Sequence, residues 1–258
     1  MFFIFEQGVF ILNHFKYRYI YVMNIKSNFL IFTFIILLLP QLNYGQEPSS
    51  EVEGDSLYRE DQFYIGATYN LILNAPDDVN IRGLSGGIQF GYMRDMPINK
   101  RRNLAVAVGA GFSFDDFGQN LFIGETENEE TIFTVLLDEE VNYDRNRFGM
   151  SVIEAPIEFR WRTSTRETYK FWRIYAGLRV GYAFRYKSVF KQPNNNVNQT
   201  KIPEFDPVRL GATLSFGYNT FNFFAYYSIN PFFKDAVTTD GQNVEFKTIK
   251  IGLMFYIL

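Results

Sequence analysis

The chain is 258 residues long, lacks cysteine, has one histidine, 29 Phe and 17 Tyr, and carries a formal charge of -3. Without cysteine there is neither a disulfide scaffold nor a lipobox anchor, and the slightly acidic balance excludes a general nucleic-acid binder. Aromatic content of 19% beside a mean hydropathy of only -0.12 argues against a bundle of apolar helices and for strands in which every second residue is polar or small.

Residues 1–22 are apolar and aromatic, with Lys16 and Arg18 scattered among them, and follow no targeting logic. From Met23 the pattern becomes regular: Lys26 supplies a positive start, Phe29 to Leu39 an apolar core, Pro40 a break and Gly45 a small residue before Gln46. That order predicts a secretory signal peptide over 23–45, with Met23 as the true start and 1–22 as an upstream start-site artefact. The alternative is a retained N-terminal anchor, although an apolar core of about 11 residues is short for a span that needs about 20. N-terminal sequencing of the mature protein separates the two. Residues 46–62 are polar and acidic and read as a flexible lead-in.

From Phe63 the dominant period is two, over a predicted barrel domain at 63–258. Phe63, Ile65, Ala67, Tyr69 and Leu71 share one face, with Tyr64, Gly66, Thr68 and Asn70 on the other. The same alternation runs through Ile88–Tyr92, Leu104–Phe114, Ile153–Trp161, Trp172–Phe184, Val208–Tyr218 and Ile249–Ile257. A further segment, Phe221 to Ile229, is aromatic on both faces and leaves its parity open. Most of these runs come near the 9–11 residues that a tilted strand needs to cross a bilayer.

Alternation also suits a soluble sandwich, so other features decide. Long polar connections (74–83, 115–148, 191–207 and 234–243) alternate with shorter ones (95–103, 163–170 and the Asn219–Thr220 turn), the rhythm of an outer-membrane barrel. Tyr69, Tyr92, Phe114, Trp161, Trp172, Phe184, Tyr186 and Tyr218 gather near strand ends, where interfacial girdles sit. With the export signal, these predict an all-β, eight-stranded, antiparallel, up-and-down transmembrane β-barrel of the cell outer membrane. An even strand number puts both barrel ends on one side, and the last predicted strand runs up to Leu258.

The run Ile153-Glu154-Ala155-Pro156-Ile157-Glu158-Phe159-Arg160 resembles a strand of the Bacteroidota outer-membrane β-barrel family that includes PorT-like proteins. Tyr175 to Tyr182 is similar to the glycine-rich strand that follows it there, and Ile251 to Leu258 to the family's terminal strand. The resemblance implies a non-enzymatic small barrel of the porin-family type, with a PorT-like part in type IX secretion or envelope assembly as the function expected of one branch. A small solute-transport or ligand-binding barrel is the second reading.

The one histidine, His14, precedes the expected start, which leaves no Ser/His pair and little for a transition metal to bind; no enzyme activity, catalytic residue, metal or cofactor is expected. Alternation turns Glu154, Glu158, Arg160, Arg162, Arg173, Arg179, Arg185 and Arg209, with Lys250, inward as a lumen charge network. Such charges could line an anion-selective channel or pair into a plug, and an eight-stranded barrel is just wide enough to be filled by its own side chains. The excess of Arg over Glu calls for further partners, with Tyr64 and Tyr175 as candidates.

The 115–148 connection is acidic, starting from Asp115 and Asp116 and continuing through Glu125, Glu127, Glu129, Glu130, Asp138, Glu139, Glu140 and Asp144. These side chains are either simply solvated or a docking loop for a protein partner, and their spacing matches no calcium loop. The apolar run Thr131 to Leu137 predicts a hairpin within the connection. Outer-membrane lipid and protein partners at this loop are therefore the expected contacts, with no nucleic acid among them.

Overall fold

The computed structural model describes residues 61–137, 142–163, 171–193 and 195–257. The expected start-site segment, signal peptide and most of the lead-in lie outside these residues, as do Asp138, Glu139 and Glu140.

Eleven strands run in chain order among the described residues. They are β1 (Gln62–Leu73), β2 (Gly86–Pro97), β3 (Leu104–Gly118), β4 (Leu121–Glu125), β5 (Thr131–Val135), β6 (Arg145–Arg162), β7 (Trp172–Gln192), β8 (Asn195–Gln199), β9 (Val208–Tyr218), β10 (Phe221–Ser228) and β11 (Lys247–Ile257). Eight of them, β1, β2, β3, β6, β7, β9, β10 and β11, pair antiparallel with their neighbours in chain order. The first and last close on each other, from Phe63 opposite Ile257 to Leu73 opposite Lys247. The result is a closed barrel with no open edge among these eight. β4 and β5 form the hairpin expected within the long connection, although it begins earlier, at Leu121. β8 adds a short strand onto the far end of β7.

Polarity across the wall is inverted relative to a soluble sheet. Outward-facing Phe63, Ile157, Leu178, Phe184, Phe223 and Ile251 are each about half exposed or more, whereas inward-facing Arg160, Arg162 and Asp95 are wholly buried. That much contiguous apolar surface is stable only against hydrocarbon. β10 resolves its ambiguous parity in the same sense, with Phe221, Phe223 and Tyr227 outward and Asn222, Phe224 and Tyr226 inward. Between β9 and β10 the two-residue turn takes Asn219 to a φ of 57°, a left-handed conformation that asparagine tolerates.

Inward glycines make room for inward tyrosines. The Tyr64 ring lies over Gly91 and Gly111 of neighbouring strands, and the Tyr226 ring over Gly211, where any Cβ would collide with it. Small and large residues thus interlock across the lumen.

Four predicted boundaries shift. β2 continues to Pro97 and β3 to Gly118, so Asp95, Asp115 and Asp116 lie on strands and not in connections. β6 begins at Arg145 and β7 runs to Gln192, eight residues beyond each predicted run, because the wall continues past the apolar belt.

Candidate functional site

Three levels of paired charge fill the lumen. Nearest the short turns, Asp95 holds two guanidiniums, with Arg162 at 2.8 Å and Arg160 at 3.4 Å. Arg160 also donates through Nε and Nη2 to Glu158, both at 3.1 Å, and through Nη1 to Gln62 at 3.2 Å. Its guanidinium sits 4.5 Å from the Tyr175 ring centre. Arg173, in the same region, donates to the Asn219 carbonyl at 2.6 Å and covers the Phe171 ring at 4.3 Å.

At the next level Arg179 donates to Glu154 at 2.8 Å and to Gln89, between the rings of Phe224 and Tyr64 at 4.9 and 5.3 Å. Above it Lys250 donates to Asp115, which also accepts from Asn70 and Ser113, each at 3.1 Å. Lys250 lies 4.8 Å from the Tyr226 ring centre. Buried charges persist only when they are paired, and Arg160, Arg162, Arg179 and Lys250 each have a carboxylate within 3.4 Å.

The long-loop end of the lumen is closed differently. Phe148 of β6 meets Phe205 and Phe233 at ring-centre distances of 5.5 and 5.6 Å, and Phe233 meets Phe133 of β5 at 5.3 Å. Leu121, Ile123, Ile202, Phe232, Val244 and Phe246 complete an apolar cap drawn from β4 and from the two long connections that follow β8 and β10. Arg209 fastens its rim, donating to the carbonyls of Asp206 and Pro231 at 2.5 and 2.9 Å. Asp206 accepts from the Val208 backbone at 3.0 Å and pairs with Lys234 at 2.9 Å. Burial alone would raise the Asp206 carboxyl, yet those bonds from Lys234 and Val208, with the charge of Arg209, hold it below its ordinary value.

Glu154, Glu158, Arg160, Arg162, Arg173 and Arg179 therefore meet in the lumen, while Arg209 sits at its capped rim. Arg185 does not join them. A β-bulge opposite Ser151 and Val152 turns both Phe184 and Arg185 outward, so the alternation that predicted an inward Arg185 is broken one residue too early for it. Asp95, Asp115, Gln62 and Gln89 are the lumen partners that residue-by-residue reading missed. Continuing the inward parity of β2 past Met93 and of β3 past Ser113 would have found both aspartates. Glu125, Glu127, Glu129 and Glu130 stand exposed at the end of the β4–β5 hairpin, with Glu125 accepting from Gln199 at 3.2 Å.

Comparison with known proteins agrees with this architecture. Residues 44–234 match the family model described as "Outer membrane protein beta-barrel domain". No curated relative matches the chain. Among solved structures, Ail, the attachment invasion locus protein of Yersinia pestis, crystallised with the heparin analogue sucrose octasulfate, is similar at 13% identity, over 78% of this chain and 100% of that one. Its TM-score of 0.33 leaves that likeness without weight for function.

Proposed function

The chain belongs to the outer membrane protein β-barrel family, and we propose that it serves there as a non-enzymatic closed barrel that engages protein partners through its long loops, in a PorT-like part of type IX secretion or envelope assembly. The observation that carries this reading is the blocked lumen. Three levels of paired charge and an aromatic cap fill the path a solute would take. What the barrel presents to other molecules is then its outer wall and its loop end, where rigid strands hold connecting segments in place. The acidic end of the β4–β5 hairpin is the proposed docking point, suited to a basic partner surface.

Deleting the gene tests the secretion role: cargo bearing the type IX C-terminal domain should accumulate in the periplasm. Normal export from the deletion strain would remove that role. Planar-bilayer recording tests the closed lumen separately. Large, stable conductance from the purified full chain would favour the solute-transport reading instead.

A further inference from the structure

The outer wall changes character sharply where β3, β6 and β7 leave the apolar belt. On β6 the outward residues run Trp161, Phe159, Ile157, Ala155 and Ile153, and then Ser151, Gly149, Arg147 and Arg145. From Trp161 to Ser151 the strand advances about 25 Å along the barrel axis, taking ~3.4 Å per residue and a tilt of ~40°, which equals the height of an apolar band. Gly149 therefore stands at headgroup height on the long-loop side, with Arg147 and Arg145 about 10 and about 16 Å above Ser151, their side chains flanking that level from outside.

At this height the wall opens into a groove of about 360 Å³. Its upper walls carry Arg145, Arg147, Arg185 and Lys187, and its lower edge is apolar, with outward-facing Phe114. Gly149 opposes Lys187, and Ser151 opposes Arg185. The missing side chain at Gly149 leaves the space: a Cβ there would meet only the Asp115 carbonyl, at 3.7 Å. Arg147 is held by Asp116 at 2.9 Å and donates to the Leu84 carbonyl. Arg145, Arg185 and Lys187 form no ion pair among the described residues. The bulge contributes directly, because it sends Arg185 and Lys187 outward to the groove instead of into the barrel.

We propose that this groove binds the phosphorylated headgroup of an outer-leaflet lipid, with Arg145, Arg185 and Lys187 on the phosphate and the lipid chains lying down the apolar wall below. A chain with a net charge of -3 here gathers four cations around the Asp116 carboxylate, next to the hydrocarbon boundary, while the Asp115 carboxylate turns into the lumen toward Lys250. Guanidiniums suit phosphate oxygens by geometry as well as charge. A soluble anion would have no use for the apolar lower edge, so the lipid is the source that fits both halves. The lipid site stands whether or not the loops engage a protein partner.

The test uses the full chain in phosphatidylcholine nanodiscs doped with bis-phosphorylated lipid A, with retained lipid read by native mass spectrometry. Each cation replaced should weaken retention about fivefold, so Arg145→Gln/Arg185→Gln/Lys187→Gln should weaken it about a hundredfold. Lys247→Gln, across the barrel on β11, should retain lipid as the unmodified protein does. Gly149→Leu fills the groove with its charges intact and should also release lipid, while Arg145→Lys/Arg185→Lys should largely keep it. Heat-modifiable migration on gels establishes that each variant is folded. Wild-type retention by the folded triple variant, or by Gly149→Leu, would overturn the site. Equal retention of dephosphorylated lipid A would overturn the phosphate contact, and displacement by inorganic phosphate at matched concentration would overturn the lipid as its source.

Discussion

Asp95 is the residue on which the lower lumen turns, and Asp95→Asn is the sharpest test of the pairing described above. The substitution keeps shape and removes the charge shared by Arg160 and Arg162, all three side chains being fully buried. Breaking a buried pair costs about 3–5 kcal/mol, since a charge is left without its counter-ion in low dielectric. Arg160 keeps Glu158, so the lower end, about 3 kcal/mol, is expected. Asp116→Asn is the internal comparison: its pair with Arg147 is half exposed, and its loss should cost less than about 1 kcal/mol. The two tryptophans, Trp161 and Trp172, stand on the outer wall at the same end as Arg160 and Arg162 and report unfolding there. Urea titration of barrel refolded into lipid vesicles, followed by their fluorescence, gives the difference. A cycle with Arg162→Met isolates the coupling, expected at about 2 kcal/mol or more. A change below about 0.5 kcal/mol for Asp95→Asn would refute the reasoning, because it would mean that water solvates the arginines and the lumen is not sealed.

Three further outcomes follow from the packing. Phe233→Ala should cost about 3–5 kcal/mol within the cap and expose the long connections to protease while the barrel stays folded; unchanged digestion would show the cap to be loose. Gly211→Ala should destabilise by about 1–3 kcal/mol because its methyl meets the Tyr226 ring, and adding Tyr226→Ala should return much of that loss, as urea midpoints would show. The depressed Asp206 carboxyl contributes in full above its ordinary pKa and less as pH falls through the lower folded value. Protease resistance of the 229–246 connection should thus be level from about pH 8 to 5 and decline below about pH 4, a step that Asp206→Asn removes. A flat profile in the unmodified protein would deny Asp206 that role.

The eight wall strands were legible because hydrocarbon imposes a rule at every second residue. Phe63, Ile65 and Tyr69 could not have been polar, so their period survives in the sequence unaided by any alignment. Lumen partners were less legible, since pairing depends on register between distant strands. Nothing within twenty residues of Arg162 announces Asp95, which meets it only because β3 stands between β2 and β6 in the closed sheet. The acidic count of the 115–148 segment misled for the same reason: Asp115 belongs to Lys250, 135 residues away.

The hidden half of β6 and β7 has a deeper cause, and it also explains the bulge. Within the membrane the wall is apolar outside and polar inside; beyond it water lies outside, and the preference reverses. Phe148, Met150 and Val152 accordingly face inward on β6 while Arg147 and Arg145 face out. On β7 the residues after Phe184 run Arg185, Tyr186, Lys187, Ser188, Val189, Phe190 and Lys191, and unbroken alternation would drive Arg185, Lys187 and Lys191 into the apolar cap. Three unpaired cations there would cost several kcal/mol each. One extra residue at the boundary shifts the parity, sends those cations to water and brings Phe190 inward. The bulge lies where β7 changes solvent, and a period-two reading that assumes one solvent throughout misassigns Arg185 for that reason alone.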